Sequence, residues 1–273
     1  MSRINKIKLP KKISQSQLKN YFIKLGLKNL VNESKKRDQG VNEIITKNVY
    51  KPELYDLYRI SELIRLNKRT TVLEFGSGWS SLIISIALMN NKKKYSNDIK
   101  KLRRNNPFEM FSVDNEKKYC AITKKRIKNF FSDKEKSKFF KNNIHISYSE
   151  CKMTEINGFY ATTYKKIPLC NPDFIYLDGP DQFKVKGVIN NFTTAHMDMM
   201  PMVSDILRIE FYLAPGTIIL SDGRGANVDF LKKNFKRKWL YQYDKYSDQH
   251  LFYLDAPILG EYNKKQLEFY KKI

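Results

Sequence analysis

Apolar positions recur at two different periods along this chain, and the change comes near Thr70. Before it the steps are helical. Leu18, Phe22, Leu25 and Leu30 fall on roughly one side of a segment that Ser16 is placed to cap, with Gly26 as its weak point. Leu54, Leu57, Ile60, Leu63 and Ile64 follow Pro52 at three- and four-residue steps, which predicts an amphipathic helix with proline in its first turn. Beyond Thr70 short apolar runs take over: TTVLEF, FEMFSVD, NIHISYS, PDFIYLD and GTIILSD. Helical stretches at 79–89, 116–131, 198–213 and 227–235 separate or follow them, the pattern of parallel strands joined by crossover helices. WLYQYD and HLFYLD, linked by the polar turn KYSDQ, add a closing hairpin. The expectation is an α/β fold with a seven-stranded, mostly parallel sheet and helices on both faces. Its division is a helical extension at 1–69, the sheet domain at 70–258 and a tail at 259–273.

Acids finish four of the strands: Glu74, Asp114, Asp178 and Asp222. In an open α/β sheet ligands bind outside the carboxyl ends of the strands, so these side chains should border one crevice.

Composition narrows the setting. With 273 residues, 41% hydrophobic, the chain can bury a sizeable core. The longest apolar run, 81–89, is far below the roughly 20 residues of a membrane helix. No apolar core follows the basic start, so no secretory signal is visible and a cytoplasmic protein is expected. Three cysteines and three histidines stand without paired spacing, which argues against a zinc site or a disulfide framework. The net charge of +23 raises nucleic acid as a partner, but the lysines and arginines are spread from end to end, and a solvated surface explains them better. The densest cluster, 92–104, reads as a solvated insertion loop.

The sharpest local signal is VLEFGSGWSS, residues 72–81. Gly76 and Gly78 let the backbone turn tightly and approach a ligand, and Ser80 or Ser81 could cap the helix that follows. A dinucleotide fingerprint would carry a third glycine and an acid about 20 residues on. Here the third glycine is missing and Asp114 lies further away. Glu74 would also compete with a pyrophosphate for the same helix N-terminus. A cofactor with a positive centre and no phosphate fits better, although a nicotinamide oxidoreductase stands as a rival.

These motifs resemble the class I S-adenosylmethionine-dependent methyltransferases, which have a Rossmann-like fold. LEFGSGWSS is similar to their first motif, FSVDNEKKY to the second-strand motif and LAPGTIILSDGR to the fifth-strand region, so the resemblance spans 70–256. It implies S-adenosylmethionine as cofactor, with Gly76 and Gly78 as the cofactor turn, Glu74 near the methionine part, Asp114 on the ribose hydroxyls and Glu150 beside adenine. Ser80 belongs to the same turn. Trp79 either lies against the cofactor or packs the first helix.

Methyl transfer needs an acceptor held in line and, for a hydroxyl, a general base. Asp178 and Asp181 of YLDGPDQ are the leading catalytic candidates, with capping of the next turn as their alternative. Asp178 and Asp222 also resemble the positions at which metal-dependent O-methyltransferases hold a divalent ion, but Gly223 replaces the amide ligand, and a metal is not asserted. In AHMDMMPMVSD, His196 with Asp198 could act as a base, or the methionines could pack against the N-terminal helices. Arg224 suits an anionic acceptor or neutralises Asp178 or Asp222. DGPD lacks the aromatic D/N-P-P-Y/F signature of base-amine methylation, which disfavours a nucleic-acid substrate. The favoured acceptor is a hydroxylated small molecule or saccharide, and PMVSDILRIEFYLAPGTIILSDGR is also similar to methyltransferase-like proteins associated with surface-polysaccharide synthesis. An RNA methyltransferase and a non-catalytic adenosyl-binding module are the alternatives. Oligomeric state is not legible.

Overall fold

Seven strands build one sheet in the order β3-β2-β1-β6-β8-β10-β9. The computed structural model describes residues 4–35 and 51–271. Those strands are β1 (Thr71–Phe75), β2 (Glu109–Asp114), β3 (Ile144–Tyr148), β6 (Phe174–Leu177), β8 (Ile218–Asp222), β9 (Trp239–Asp244) and β10 (Gln249–Leu254). The first five pair in parallel, and β10 runs antiparallel to both β8 and β9. The architecture is the α/β Rossmann-like one expected, and all seven apolar runs are its strands. The chain builds outward from β1 to β3, then returns to place β6 on the other side of β1. That reversal is the topological switch point.

Neighbouring residues of each central strand feed opposite cores, as period-two alternation requires. Val72, Tyr176, Ile218, Leu220 and Leu251 join one cluster, and Leu73, Ile175, Leu177, Ile219 and Phe252 the other. The first cluster is covered by α1 (Gln15–Lys24), α2 (Lys28–Glu33), α3 (Leu54–Leu66), α4 (Trp79–Ile99), α5 (Lys117–Phe130), α6 (Lys134–Asn143) and α9 (Gly260–Lys271). The second is covered by α7 (Asp205–Ile209), α8 (Gly225–Asn234) and a small sheet. The strands are continuous apolar runs because both faces are buried.

Several expectations change. Ser14, not Ser16, caps α1, and the predicted single segment breaks into α1 and α2 at Gly26, whose φ is +81°. Pro52 precedes the N-cap Glu53 instead of sitting in the first turn of α3. The supposed insertion loop is largely helix: α4 continues to Ile99, and its buried Asn91 anchors it by donating to Ile64 O and Arg69 O. The helix expected over 198–213 shrinks to α7 and a 3-10 turn, since Pro201 has no N–H for a helix interior. A second sheet, β5-β4-β7, was not foreseen; it is made of β4 (Cys151–Ile156), β5 (Phe159–Tyr164) and β7 (Val185–Lys186). The supposed tail is mostly α9. Its Tyr270 donates to Asp173 Oδ2 at 2.7 Å and lies under the Arg69 guanidinium at 4.0 Å. Residues 1–3, 36–50 and 272–273 of the predicted extension and tail lie outside the described residues.

Candidate active site

The turn after β1 is locked into its neighbours on two sides. Gly76 N donates to Val113 O at 2.8 Å, and Ser112 Oγ donates to Gly76 O at 2.7 Å, which ties the turn to β2. On the β6 side, Gly76 (φ +107°) faces Gly179 so closely that a Cβ on Gly179 would stand 2.6 Å from Gly76 N. Both glycines are required by this backbone contact. Gly78 differs: its backbone is extended and a Cβ there would meet nothing within 4 Å. Gly78, rather than Ser80 or Ser81, is the N-cap of α4. The two glycines of the motif therefore do separate things, one closing the turn against β6 and the other leaving its outer side open.

Glu74 does not reach that open space. It is fully buried, and its two carboxylate oxygens accept from Ser80 Oγ at 2.6 Å and Ser81 Oγ at 2.5 Å. Ser81 Oγ in turn accepts from Gly78 N at 3.1 Å. Burial lifts Glu74 to about 7 against the pull of these hydroxyls. The acid braces the start of α4 from below.

Asp114 closes β2 and is likewise buried. Its Oδ2 accepts from Ser77 Oγ at 2.6 Å and its Oδ1 from Glu116 N at 2.8 Å. Burial raises it to about 6, and the Ser77 hydroxyl opposes the rise. The Ser77 contact links the β1 turn to the β2 acid.

Asp178, on the far side of Gly76, retains 48% of its side-chain exposure, in contrast to Glu74 and Asp114. Its carboxylate has no hydrogen bond among the described residues, and Arg224 Nε is 3.9 Å from Oδ1. Surrounding protein and the like charge of Asp222 push Asp178 up, while Arg224 opposes them. With half the side chain in water, both raising causes are weakened, burial because it is incomplete and the Asp222 charge because water screens it. Arg224 also donates to Asp178 O at 2.8 Å and Pro180 O at 3.3 Å, so the guanidinium shapes this loop. Asp222 is raised by burial.

Sequence reasoning missed Asp56. This first-turn residue of α3 is raised to about 8 by burial, then by the charges of Asp222 and Glu53, with Asp178 a smaller contributor. The helical extension thus brings a third acid towards Asp178 and Asp222. Its signal was only an acid early in an amphipathic helix, and nothing local says what that helix covers. Asn115 was missed too: its side chain exchanges hydrogen bonds with Asp181 N and O at 2.8 and 2.9 Å.

Other predicted residues are placed elsewhere or otherwise occupied. Asp181 accepts from Phe183 N at 2.9 Å and caps a 3-10 turn. His196 is exposed, 3.8 Å from the still more exposed Asp198. Met200 Sδ meets Arg224 and Met202 O accepts from Thr162 N, so these methionines serve the crevice loop and the small sheet. Trp79 donates from Nε1 to Glu33 at 3.0 Å and carries the Arg126 guanidinium 4.1 Å over its ring, the packing alternative of the two. Glu150 is half-buried between β3 and β4, where its backbone carbonyl accepts from Lys165 N at 2.7 Å. Among the described residues no three His, Cys, Asp or Glu side chains converge on a point that could hold an ion. No described helix is long and apolar enough to cross a membrane.

No protein-family profile matches the chain, and neither does any curated protein. Solved structures of related shape include an O-methyltransferase from Bacillus cereus in complex with SAH, at 11% identity and a TM-score of 0.43, covering 88% of this chain and 97% of that one. The O-methyltransferase TomG from Streptomyces achromogenes, involved in tomaymycin synthesis and bound to SAM, gives 9% identity and 0.42 over 90% of this chain and 100% of that one. Cofactor-bound Rv0187 from MTB gives 7% and 0.44 over 90% and 100%. Likeness at this level leaves the function to be argued from the site itself.

Proposed function

We propose that the chain is an S-adenosylmethionine-dependent methyltransferase acting on a hydroxyl of a small molecule, with a saccharide as the favoured acceptor class. One observation carries the reading: at the β1/β6 switch point, the N-cap Gly78 opens onto unfilled space at the strand ends, with Asp114 on the β2 side and Asp178 on the β6 side. In this reading Gly76 and Gly78 form the cofactor turn, Asp114 exchanges Ser77 for the ribose hydroxyls, and Glu150 and Ser80 belong to the surrounding wall. Glu74 acts through Ser80 and Ser81 by fixing the helix N-terminus. The sulfonium supplies the activated methyl group. Asp178, whose carboxylate has no hydrogen bond among the described residues and is raised above the usual carboxylate range, accepts the proton from the acceptor hydroxyl. Asp181 and His196 support it less, because one caps a turn and the other faces solvent.

Calorimetry with S-adenosylmethionine and its demethylated product tests binding, and transfer of a tritiated methyl to a glycan extract against total RNA tests turnover. The expected result is binding of both compounds and label in the glycan pool. Label in RNA redirects the acceptor, binding without transfer leaves a binding module, and binding of nicotinamide dinucleotide alone overturns the reading. The base is tested by Asp178→Asn, which should lower kcat by about 10²–10⁴-fold and remove a rise of rate with pH while leaving cofactor affinity in place.

A further inference from the structure

The loop that carries Asp178 is gripped by its backbone, while the Asp178 carboxylate has no hydrogen bond among the described residues. Neighbouring strand ends supply part of the grip. Asp178 N donates to Phe75 O at 2.9 Å at the end of β1, and Gly179 lies directly against Gly76. Arg224, past the end of β8, donates to Asp178 O and Pro180 O. A further hold comes from β2, which does not adjoin β6 in the sheet, because β1 stands between them.

That longer reach is made where β2 ends, by successive residues that take different partners. Asp114 accepts from Ser77 of the β1 turn. Asn115 takes the β6 loop instead: its Nδ2 donates to Asp181 O at 2.9 Å, and its Oδ1 accepts from Asp181 N at 2.8 Å. Glu116 stands 3.3 Å from Lys184 Nζ, a partly exposed pair that holds weakly. Asn115 is only 4% exposed, so both of its bonds are shielded from water and bind the two walls of the crevice to each other.

We infer that Asn115 is a positioning residue for methyl transfer: by holding Asp181 across β1, it fixes Asp178 relative to the cofactor carried on the Asp114 side. The inference rests on the proposed function. A base works only within hydrogen-bond reach of a hydroxyl that is itself in line with the methyl group, and a misplacement of about 1 Å can cost about 100-fold in rate. Asp178 takes its position from its backbone, and Asn115 is the buried side chain that ties that backbone to the opposite wall.

The test uses Asn115→Ala and Asn115→Leu in the full chain; leucine fills the space of the amide without either hydrogen bond. Both should lower kcat about 10- to 100-fold and change the Kd for S-adenosylmethionine less than about threefold, since Asp114 keeps its own partners. Asn67→Ala is the control for lost stability alone. Asn67 is equally buried, bonds Lys8 O and Leu63 O away from the crevice, and its loss should leave kcat within about twofold at a temperature where all variants are folded. Hydrogen exchange without cofactor or acceptor gives a second readout. The Asp178, Phe183 and Lys184 amides do not bond to Asn115, yet they should exchange at least about tenfold faster in both Asn115 variants. Unchanged exchange, full kcat in Asn115→Leu, an equal kcat loss in Asn67→Ala, or a fall in cofactor affinity as large as the fall in kcat overturns the inference. A parent chain that transfers no methyl group overturns the proposed function instead, and the exchange rates still decide whether Asn115 holds the loop.

Discussion

Gly76 and Gly179 meet with no room for a side chain between them, whereas Gly78 faces empty space. Gly179→Ala must push two backbones apart, and we expect a stability loss of about 1–3 kcal/mol, seen as a lower melting temperature. Gly78→Ala should melt like the parent, and Gly78→Arg should stay folded while losing cofactor binding. Glu74 belongs to the same scale. Its folded value of about 7 exceeds its ordinary 4.5, so the native state holds the proton more firmly than the unfolded chain. The contribution favours folding fully below about 4.5, declines as pH rises through about 7, and is constant beyond. Glu74→Gln should therefore flatten part of the fall in stability across that window, measured by denaturant titrations at a series of pH values. If parent and variant lose stability in parallel from pH 5 to 7, the carboxyl is not held protonated by its burial.

At the scale of elements, α3 fastens the helical extension to the carboxyl end of the sheet. Arg59 Nε donates to Gln249 Oε1 at 2.8 Å while its other end holds Asp244, so one side chain spans the extension and the closing hairpin. Removing it leaves buried polar groups unmatched. Arg59→Ala should cost about 3 kcal/mol in a chemical melt. Trp79 fastens α4 to α2 and α5 through Glu33 and Arg126. Trp79→Phe should lose about 1 kcal/mol of stability with cofactor affinity unchanged, and a large drop in affinity would instead return the indole to the cofactor site. The small sheet shows where an available signal went unread. EINGFY turns through Asn157 and Gly158, both at positive φ, and an Asn-Gly pair between strand-like residues is a strong hairpin cue. The shortness of β7 and its parallel pairing with β4 left no comparable trace in the sequence.

For the whole molecule, the proposed cofactor should act as a folding ligand. At about one hundred times its Kd, S-adenosylmethionine should add about 2.7 kcal/mol of stability. That gain should vanish in Asp114→Ala and Gly78→Arg, whose own melting points without cofactor serve as the reference. The charge of +23 works at this scale too. Spread along the whole sequence, it favours general attraction of anions, while Asp56, Asp178 and Asp222 feel one another's negative charge near the strand ends.

The sequence by itself determined the seven strands of the main sheet, the turn after β1 and the acids that close β1, β2, β6 and β8. Each of these is written locally: strands buried on both faces must be apolar throughout, a tight turn needs glycine, and a strand-end residue borders the crevice wherever the strand is placed in the sheet. Tertiary structure alone decided which of those acids stay open. Glu74 is consumed by Ser80 and Ser81, Asp114 is held by Ser77, and the half-exposed Asp178 has, among the described residues, only the Arg224 guanidinium 3.9 Å away as a partner. The electrostatic coupling of Asp56 to Asp222 and the contact of Gly76 with Gly179 were decided in the same way. They depend on how an N-terminal helix docks and how two strands align, and such long-range packing is fixed by the sum of many burials rather than by any short run of residues.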